Sequence, residues 1–462
     1  MNKPQKLISF LAVGCLVACH TGQDNMQQKD IRLITLAPGH FHAALVQKSM
    51  YPQVDSLVHV YAPEGPELDA HLALVNQYNT RTDNPTYWQE EAYQGDDFLE
   101  KMLAERKGNV VVLAGNNQYK IDYISQSVDA GLNVLADKPM VINQAGFSKL
   151  EAAFDNASKK GVLLYDIMTE RYEINTMLQK ALSQLPEFFG GLVPGSADNP
   201  AITKESVHHF FKEVSGNPLI RPAWFYDTKQ QGEGLVDVTT HLVDLVQWES
   251  FPDQVIDYRK DIQLVGARRW PTRVTPEQFS RSTGLDVVPE FLSETVDDNG
   301  NLAIFANGEI DYILKGVHAK VSVIWNFEAP QGTGDTHYSI MRGAYANLVI
   351  RQGEEEQYKP VLYVESTGKR DAKSFEAALA KAIGQLAETY DGIAFEPQSE
   401  GRYRIVVPPS LVTTHEEHFA QVTEKYLSFL QSGAMPDWEV PNMIAKYYLT
   451  TKALAEAQTV TP

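Results

Sequence analysis

The sequence predicts a two-domain protein, a doubly wound parallel α/β sheet followed by an α+β domain on a largely antiparallel sheet. Three observations carry that prediction. Between residues 31 and 167, short and nearly all-apolar runs alternate with helical patterns, which is how strands buried on both faces of a parallel sheet read. After "LPEFFGGLVPGSADNP" the chain turns β-rich, with Asn-Gly pairs at 299–300 and 307–308 that suit tight turns. Its 462 residues also exceed what one core usually serves.

The elements follow in order. "IRLITLA" reads as a strand and residues 41–50 as a helix, then "SLVHVYA" as a strand and 68–78 as a helix. Helix 96–106, strand "NVVVLAG", helix 119–130, strand "NVLAD", helix 143–159 and strand "GVLLYDI" complete a first domain over residues 30–185. In the second domain, 186–462, segments such as "ESVHHFFKEV", "NLAIFANGEIDYILKGVHAKVSVIWNFEAP" and "YRIVVPP" read as strands. Helices are expected at 234–249, 374–390, 416–431 and 441–457, and no internal repeat is visible.

The first residues, "MNKPQKLISFLAVGCLVAC", place Lys3 and Lys6 before an apolar run of twelve residues that is too short to span a bilayer and matches a secretory core. Leu16-Val17-Ala18-Cys19 looks like a lipobox, in which the cysteine is acylated and becomes the new N-terminus. Residues 1–19 are thus read as a lipoprotein signal and 20–29 as a flexible tether. The expected location is the bacterial cell envelope, periplasmic or surface-facing, with the lipid as the only membrane contact. Cleavage there removes Cys15, so no disulfide is available. Fifty-nine acidic against forty basic residues give a net charge of −19, which repels phosphate backbones and excludes nucleic acid as a partner.

"LITLAPGHFHAALVQKSM", residues 33–50, is a strand, a turn at Pro38-Gly39 and a helix start, the shape of a dinucleotide-binding first turn. The glycine fingerprint G-x-G-x-x-G is altered, since its positions hold Ala37, Gly39 and His42. In the turn opened by Pro38, the backbone N–H groups of Gly39, His40, Phe41 and His42 and the helix dipole would still face a pyrophosphate, with Gly39 allowing close approach. At the end of the second strand the nearest carboxylate for a ribose is Glu64, and no arginine follows to clamp a 2′-phosphate, which favours NAD over NADP.

"VVVLAGNNQYKIDYISQSVDAGLNVLADKPM", residues 110–140, resembles the Gfo/Idh/MocA oxidoreductases, as does "GEGLVDVTTHLVDLVQW" at 232–248. The resemblance spans most of residues 31–250 and then thins. It implies an N-terminal Rossmann domain, a C-terminal domain with an open sheet, a nicotinamide cofactor and a polyol or saccharide substrate. Asn116 and Asn117 match the loop near the nicotinamide ribose, and Asp137-Lys138-Pro139 matches the family's Glu-Lys-Pro, with Lys138 as the functional lysine. Arg171-Tyr172 matches an Arg-aromatic pair, and Asp237, His241 and Asp244 match the family's Asp, His and Asp, with Thr239-Thr240 where the motif has glycine before its histidine.

Oxidising a secondary alcohol needs a base for the hydroxyl proton, which imidazole suits. On a helix Asp237 and His241 would share one face at i, i+4, so that the carboxylate orients the ring. Trp224 and Tyr226 in "RPAWFYD" could stack on a sugar or pack in the core. His208 and His209 alternate along a strand, so one at most faces a site. His337 is read as a turn residue or a substrate contact. Asp237, His241 and Asp244 lack a second histidine at metal-ligand spacing, and no metal is expected.

The first expectation is an NAD-dependent oxidoreductase of a sugar, glycoside or cyclitol hydroxyl, with Lys138, His241 and Asp237 catalytic. Two alternatives stand beside it: a glycosidase that keeps NAD and works through transient oxidation and elimination, and a non-catalytic carbohydrate-binding lipoprotein. A homo-oligomer is compatible with any of them. Mass spectrometry of the membrane fraction is expected to find an acylated Cys19 as the first residue, with residues 1–18 gone. A Cys19→Ser chain that stays processed and membrane-bound would overturn the anchor.

Overall fold

The computed structural model describes residues 30–214 and 217–461, so the lipobox and Cys19 lie outside the described part. Among the described residues no helix is long and apolar enough to cross a membrane.

The first sheet is parallel throughout. Its strands are β1 (Leu33–Leu36), β2 (Leu57–Ala62), β3 (Gln89–Gln94), β4 (Val110–Leu113), β5 (Asn133–Asp137) and β6 (Leu164–Ile167), in the order β3-β2-β1-β4-β5-β6. Every residue of β1, β4 and β6 is buried, which is why these strands carry almost nothing but apolar side chains. β3 was not foreseen from the sequence, because "QEEAYQ" is an exposed edge strand with no apolar run. The helix expected at 41–50 shrinks to His42–Leu45, whereas Pro66–Thr80, Phe98–Glu105, Lys120–Asp129 and Gln144–Lys160 form close to where periodicity puts them. Asn143 caps the last of these by accepting from the Gly146 N–H at 2.8 Å.

The second sheet has ten strands: β7 (Ile202–Phe211), β10 (Ile262–Val274), β11 (Leu302–Leu314), β12 (Val317–Glu328), β13 (Thr336–Arg342), β14 (Ala346–Arg351), β15 (Val361–Ser366), β16 (Ala394–Ser399), β17 (Arg402–Val406) and β18 (Gln458–Thr459). A separate two-residue pair, β8 (Glu213–Val214) and β9 (Asn217–Pro218), follows β7. The order is β16-β17-β15-β14-β13-β7-β12-β11-β10-β18, antiparallel except at β7–β12 and β10–β18. The fold class is therefore a Rossmann-like parallel sheet followed by a largely antiparallel α+β domain.

One continuous apolar core runs from Leu36, Val111 and Leu135 through Leu178 and Leu242 to Val321 and Leu348. The last two long helices, His415–Ser432 and Glu439–Glu456, return to the first sheet. Tyr426 stacks on Tyr165 with ring centroids 5.9 Å apart, and the Tyr447 hydroxyl donates to Asp166 at 2.8 Å.

A buried ionic network ties these parts together. Asp244, on the helix Thr239–Ser250, accepts from Arg171 at 2.6 and 2.7 Å and from Lys446 at 2.7 Å. Lys446 also reaches Asp166 at 2.8 Å, and Arg171 reaches Glu439 at 3.2 Å. Burial pushes the Asp244 pKa up, but Arg171 and then Lys446 outweigh it and hold the carboxyl well below the usual range. Asp244→Ala strands two buried cations and is expected to cost roughly 3–5 kcal/mol in a denaturant titration. A loss below about 1 kcal/mol would mean that the network does not hold the domains.

Candidate active site

A cavity of about 470 Å³ opens over the C-terminal ends of β1, β4 and β5 and the segment after β6. Its far wall comes from β7, the loop around residues 219–225, residues 335–337 and the start of the helix His415–Ser432. In an open parallel sheet this is where ligands bind, at the switch point between β1 and β4.

The first turn departs from a free phosphate cradle. The Gly39 and His40 N–H groups both donate to the Ala114 carbonyl, at 3.1 and 3.2 Å. A Cβ at Gly115 would lie 2.4 Å from the Ala37 oxygen and 2.8 Å from the Gly39 nitrogen. The ends of β1 and β4 are thus packed against each other, and the amides expected to face a pyrophosphate at Gly39 and His40 are already engaged. A histidine at the third fingerprint position accounts for the change: the helix starts at His42, whose ring turns inward to Asp137 instead of leaving a gap.

His42 Nδ1 lies 2.9 Å from Asp137 Oδ2, His40 Nδ1 lies 3.6 Å from the same oxygen, and the two rings meet edge to face at 3.9 Å. Burial holds both imidazoles well below their ordinary pKa, assisted at His42 by His415 and at His40 by His42. Both are uncharged at neutral pH.

Lys138 Nζ donates to Asp237 Oδ1 at 2.7 Å, and Asp237 Oδ2 accepts from Gln231 at 3.1 Å. The sequence reading has Asp237 orienting His241 across a helical turn, but Asp237 lies in the turn before the helix and spends its carboxylate on Lys138. His241 lines the same cavity, and its buried Nδ1 has no hydrogen-bond partner. Burial, and then the Lys138 charge, keep its pKa well below the ordinary value. Asn117 also lines the cavity: its N–H and Nδ2 donate to the Gln230 and Gln231 carbonyls at 3.0 and 2.7 Å, leaving Oδ1 buried without a partner. Asn116 Nδ2 donates to Gln230 at 2.6 Å.

Phe41 and Trp224 line the cavity, whereas Pro38 and Asn116 do not. Glu64 is exposed beyond β2, away from the cavity. Arg171 and Asp244 are consumed by the ionic network, and Tyr172 beside Arg171 packs on the core. The Thr240 hydroxyl donates to the Val236 carbonyl at 2.8 Å, so these four expected substrate contacts lie outside the cavity wall. Tyr226 is buried and donates to Ser282, taking the packing option.

Several lining residues went unread. Glu170 stands next to Arg171, and His415 opens a helix whose capping box, Thr414 with Glu417, was a usable signal. His208 Nδ1 meets Asp335 at 2.9 Å and stacks on Trp325, while His209 reaches Asp335 at 3.3 Å without lining the cavity. His337 does line it, its pKa lowered to about 3 by burial and then Lys204.

The fold is that of an oxidoreductase of the Gfo/Idh/MocA type. The family described as "Putative oxidoreductase C terminal domain" matches residues 178–458, and the chain belongs to it. The crystal structure of a "putative oxidoreductase" from Parabacteroides merdae is 54% identical, covers 93% of this chain and 97% of its own, and superposes with a TM-score of 0.91. More distant are KijD10, a 3-ketoreductase from Actinomadura kijaniata solved with NADP and TDP-benzene, and GenD2 from gentamicin A biosynthesis, solved with NAD. KijD10 shares 14% identity over 94% of this chain and 99% of its own, with a TM-score of 0.56. GenD2 shares 14% over 93% and 94%, with a TM-score of 0.55. No curated protein matches the chain.

Burial, and then the Glu173 carboxylate, raise the Glu170 pKa from 4.5 to about 7. A raised carboxyl leaves stability intact below pH 4.5 and withdraws it progressively as the pH climbs through 7. Glu170→Gln is therefore expected to raise the melting temperature by about 1–3 °C at pH 8 and to leave it unchanged at pH 4.5, read by scanning fluorimetry against the parent. Equal shifts at both pH values would contradict a buried, titrating Glu170.

Proposed function

We propose that the chain is a nicotinamide-dependent oxidoreductase acting on a secondary hydroxyl, or the matching ketone, of a sugar, glycoside or cyclitol. The observation that carries this reading is the meeting of Lys138 and His241, from different domains, in one cavity at the strand ends. The NADP and NAD bound by KijD10 and GenD2 support a nicotinamide cofactor on this architecture. The residues present fit its nicotinamide end: Asn117 Oδ1 is buried and unpartnered beside the cavity, within which Lys138 supplies a cation. Asn117 and Lys138 would hold that end, and the group would supply a hydride acceptor. The pyrophosphate would have to be carried without the Gly39 and His40 amides, which Ala114 holds.

The chain's own work is on the proton. His241 is uncharged at neutral pH and has a free ring nitrogen, so it can take the hydroxyl proton as the ketone forms. Lys138, fixed by Asp237, can donate to the reacting oxygen and disfavours a charged His241, which eases return of the proton in the reverse direction. The lipobox at Cys19 supports work in the bacterial envelope, where sugars are at hand.

His241→Ala is expected to lower turnover by roughly two to four orders of magnitude, assayed by nicotinamide absorbance over a panel of sugars and cyclitols, with cofactor still bound. Lys138→Ala should impair cofactor binding as well as turnover. The engaged first turn favours one rival, a carbohydrate-binding protein without cofactor. Purified chain that neither releases NAD(P)(H) on denaturation nor binds it when supplied would establish that rival and end the oxidoreductase reading.

A further inference from the structure

The cavity wall above β1 and β5 carries an arrangement that the proton chemistry leaves unused. His40, His42 and Asp137 each offer a ligand atom within 4.8 Å of the others, with His40 Nδ1 3.6 Å and His42 Nδ1 2.9 Å from Asp137 Oδ2. Around a divalent ion with bonds of about 2.1 Å, neighbouring ligand atoms stand about 3.0 Å apart at octahedral angles and about 3.4 Å at tetrahedral ones. The two nitrogen–oxygen separations bracket those spacings. A hydrogen bond accounts for one edge only, since His42 is within bonding distance of Asp137 whereas the buried Nδ1 of His40 has no partner. An inward-facing, unpartnered ring nitrogen beside a carboxylate calls for an occupant.

The surroundings hold these three groups in place. His42 is wedged between the rings of Phe41 and Phe419, with centroids 4.5 and 4.6 Å away. Lys120 Nζ donates to the Asp137 carbonyl at 3.0 Å, fixing the end of β5. Lys138, the next cation along, is paired with Asp237 and so opposes an incoming ion less than a free lysine would. All three groups line the cavity, so coordination positions not filled by protein would open into it.

We propose that His40, His42 and Asp137 bind one divalent first-row transition metal ion, of the zinc class, with its open positions toward the cavity. Two imidazoles and a carboxylate without thiolate suit zinc, iron(II), cobalt or manganese, and three protein ligands leave room for an exchangeable oxygen ligand. The site lies on the very turn whose amides are engaged with Ala114, so the strand end that carries a phosphate in other folds of this class carries metal ligands here. The proposal does not depend on hydride transfer.

The test is direct metal binding by the full chain, stripped with a chelator and titrated with ZnCl₂ in a calorimeter, with elemental analysis after dialysis. One equivalent is expected. His42→Ala and Asp137→Ala should each weaken it by roughly 100-fold or more, whereas His318→Ala, outside the cavity, should leave it unchanged. X-ray absorption of the Co²⁺-loaded parent should show two imidazole ligands, and it decides alone if either variant loses its fold by circular dichroism. No stoichiometric uptake by the parent, equal affinity in both variants, or a spectrum without imidazole would overturn the site.

Discussion

The placement of the cavity depends on one buried carboxylate. Asp244 joins three segments far apart in sequence: the helix Thr239–Ser250, the turn after β6 through Arg171, and the helix Glu439–Glu456 through Lys446. On the helix that bears His241, Asp244 supplies the directional link to the first domain, which apolar contacts, being non-directional, do not. Bidentate pairing of a guanidinium with a carboxylate is directional. The network therefore converts general burial into a defined height for His241 above the ends of β4 and β5. A second buried pair, Lys204 with Glu249 at 2.8 Å, fixes the other end of the same helix against β7.

The first turn is the second constraint. In a dinucleotide site of the usual kind, glycines allow the tight turn, the close approach of backbone to pyrophosphate and the close packing of helix on strand. Here Gly115 puts the same freedom to another use: having no Cβ, it lets the ends of β1 and β4 close on each other to hydrogen-bonding distance. Residues 40–42 then project imidazole and phenyl rings where a longer helix would have presented amides. The same glycine economy thus yields a side-chain site in place of a backbone one. His40 and His42 meet at this strand end, where burial outweighs the neighbouring Asp137 carboxylate and holds both imidazoles well below their ordinary pKa.

The sequence made the sheets legible and the polar networks much less so. β1, β4, β5 and β6 announce themselves as apolar runs, whereas the polar edge strand β3 carries no such signal. Lys138 and His241 could be placed in one crevice because a resemblance tied both to known positions. Asp244 and Arg171 came from the same motifs and were expected to touch substrate, yet they bind each other, because a motif gives a residue's place on an element and not the partner packed against it. Asp237 was misplaced for a different reason: the helix begins at Thr239, five residues later than the expected start at 234, which removes the i, i+4 relation on which its orienting role rested.

His40 and His42 show where reading by spacing stops. Two residues apart in sequence, they match no helical ligand spacing, and their convergence requires a turn followed at once by a helix. Their common partner, Asp137, lies 95 positions beyond His42 at the end of β5, two strands across the sheet from β1. Parallel α/β topology places all its strand ends on one rim, so residues separated by whole βαβ units become neighbours there and nowhere else. The carboxylate of the Asp137-Lys138-Pro139 motif, expected among the cofactor-binding residues, is by that geometry shared between two imidazoles, and whatever the cavity binds must be reckoned with that cluster as part of its floor.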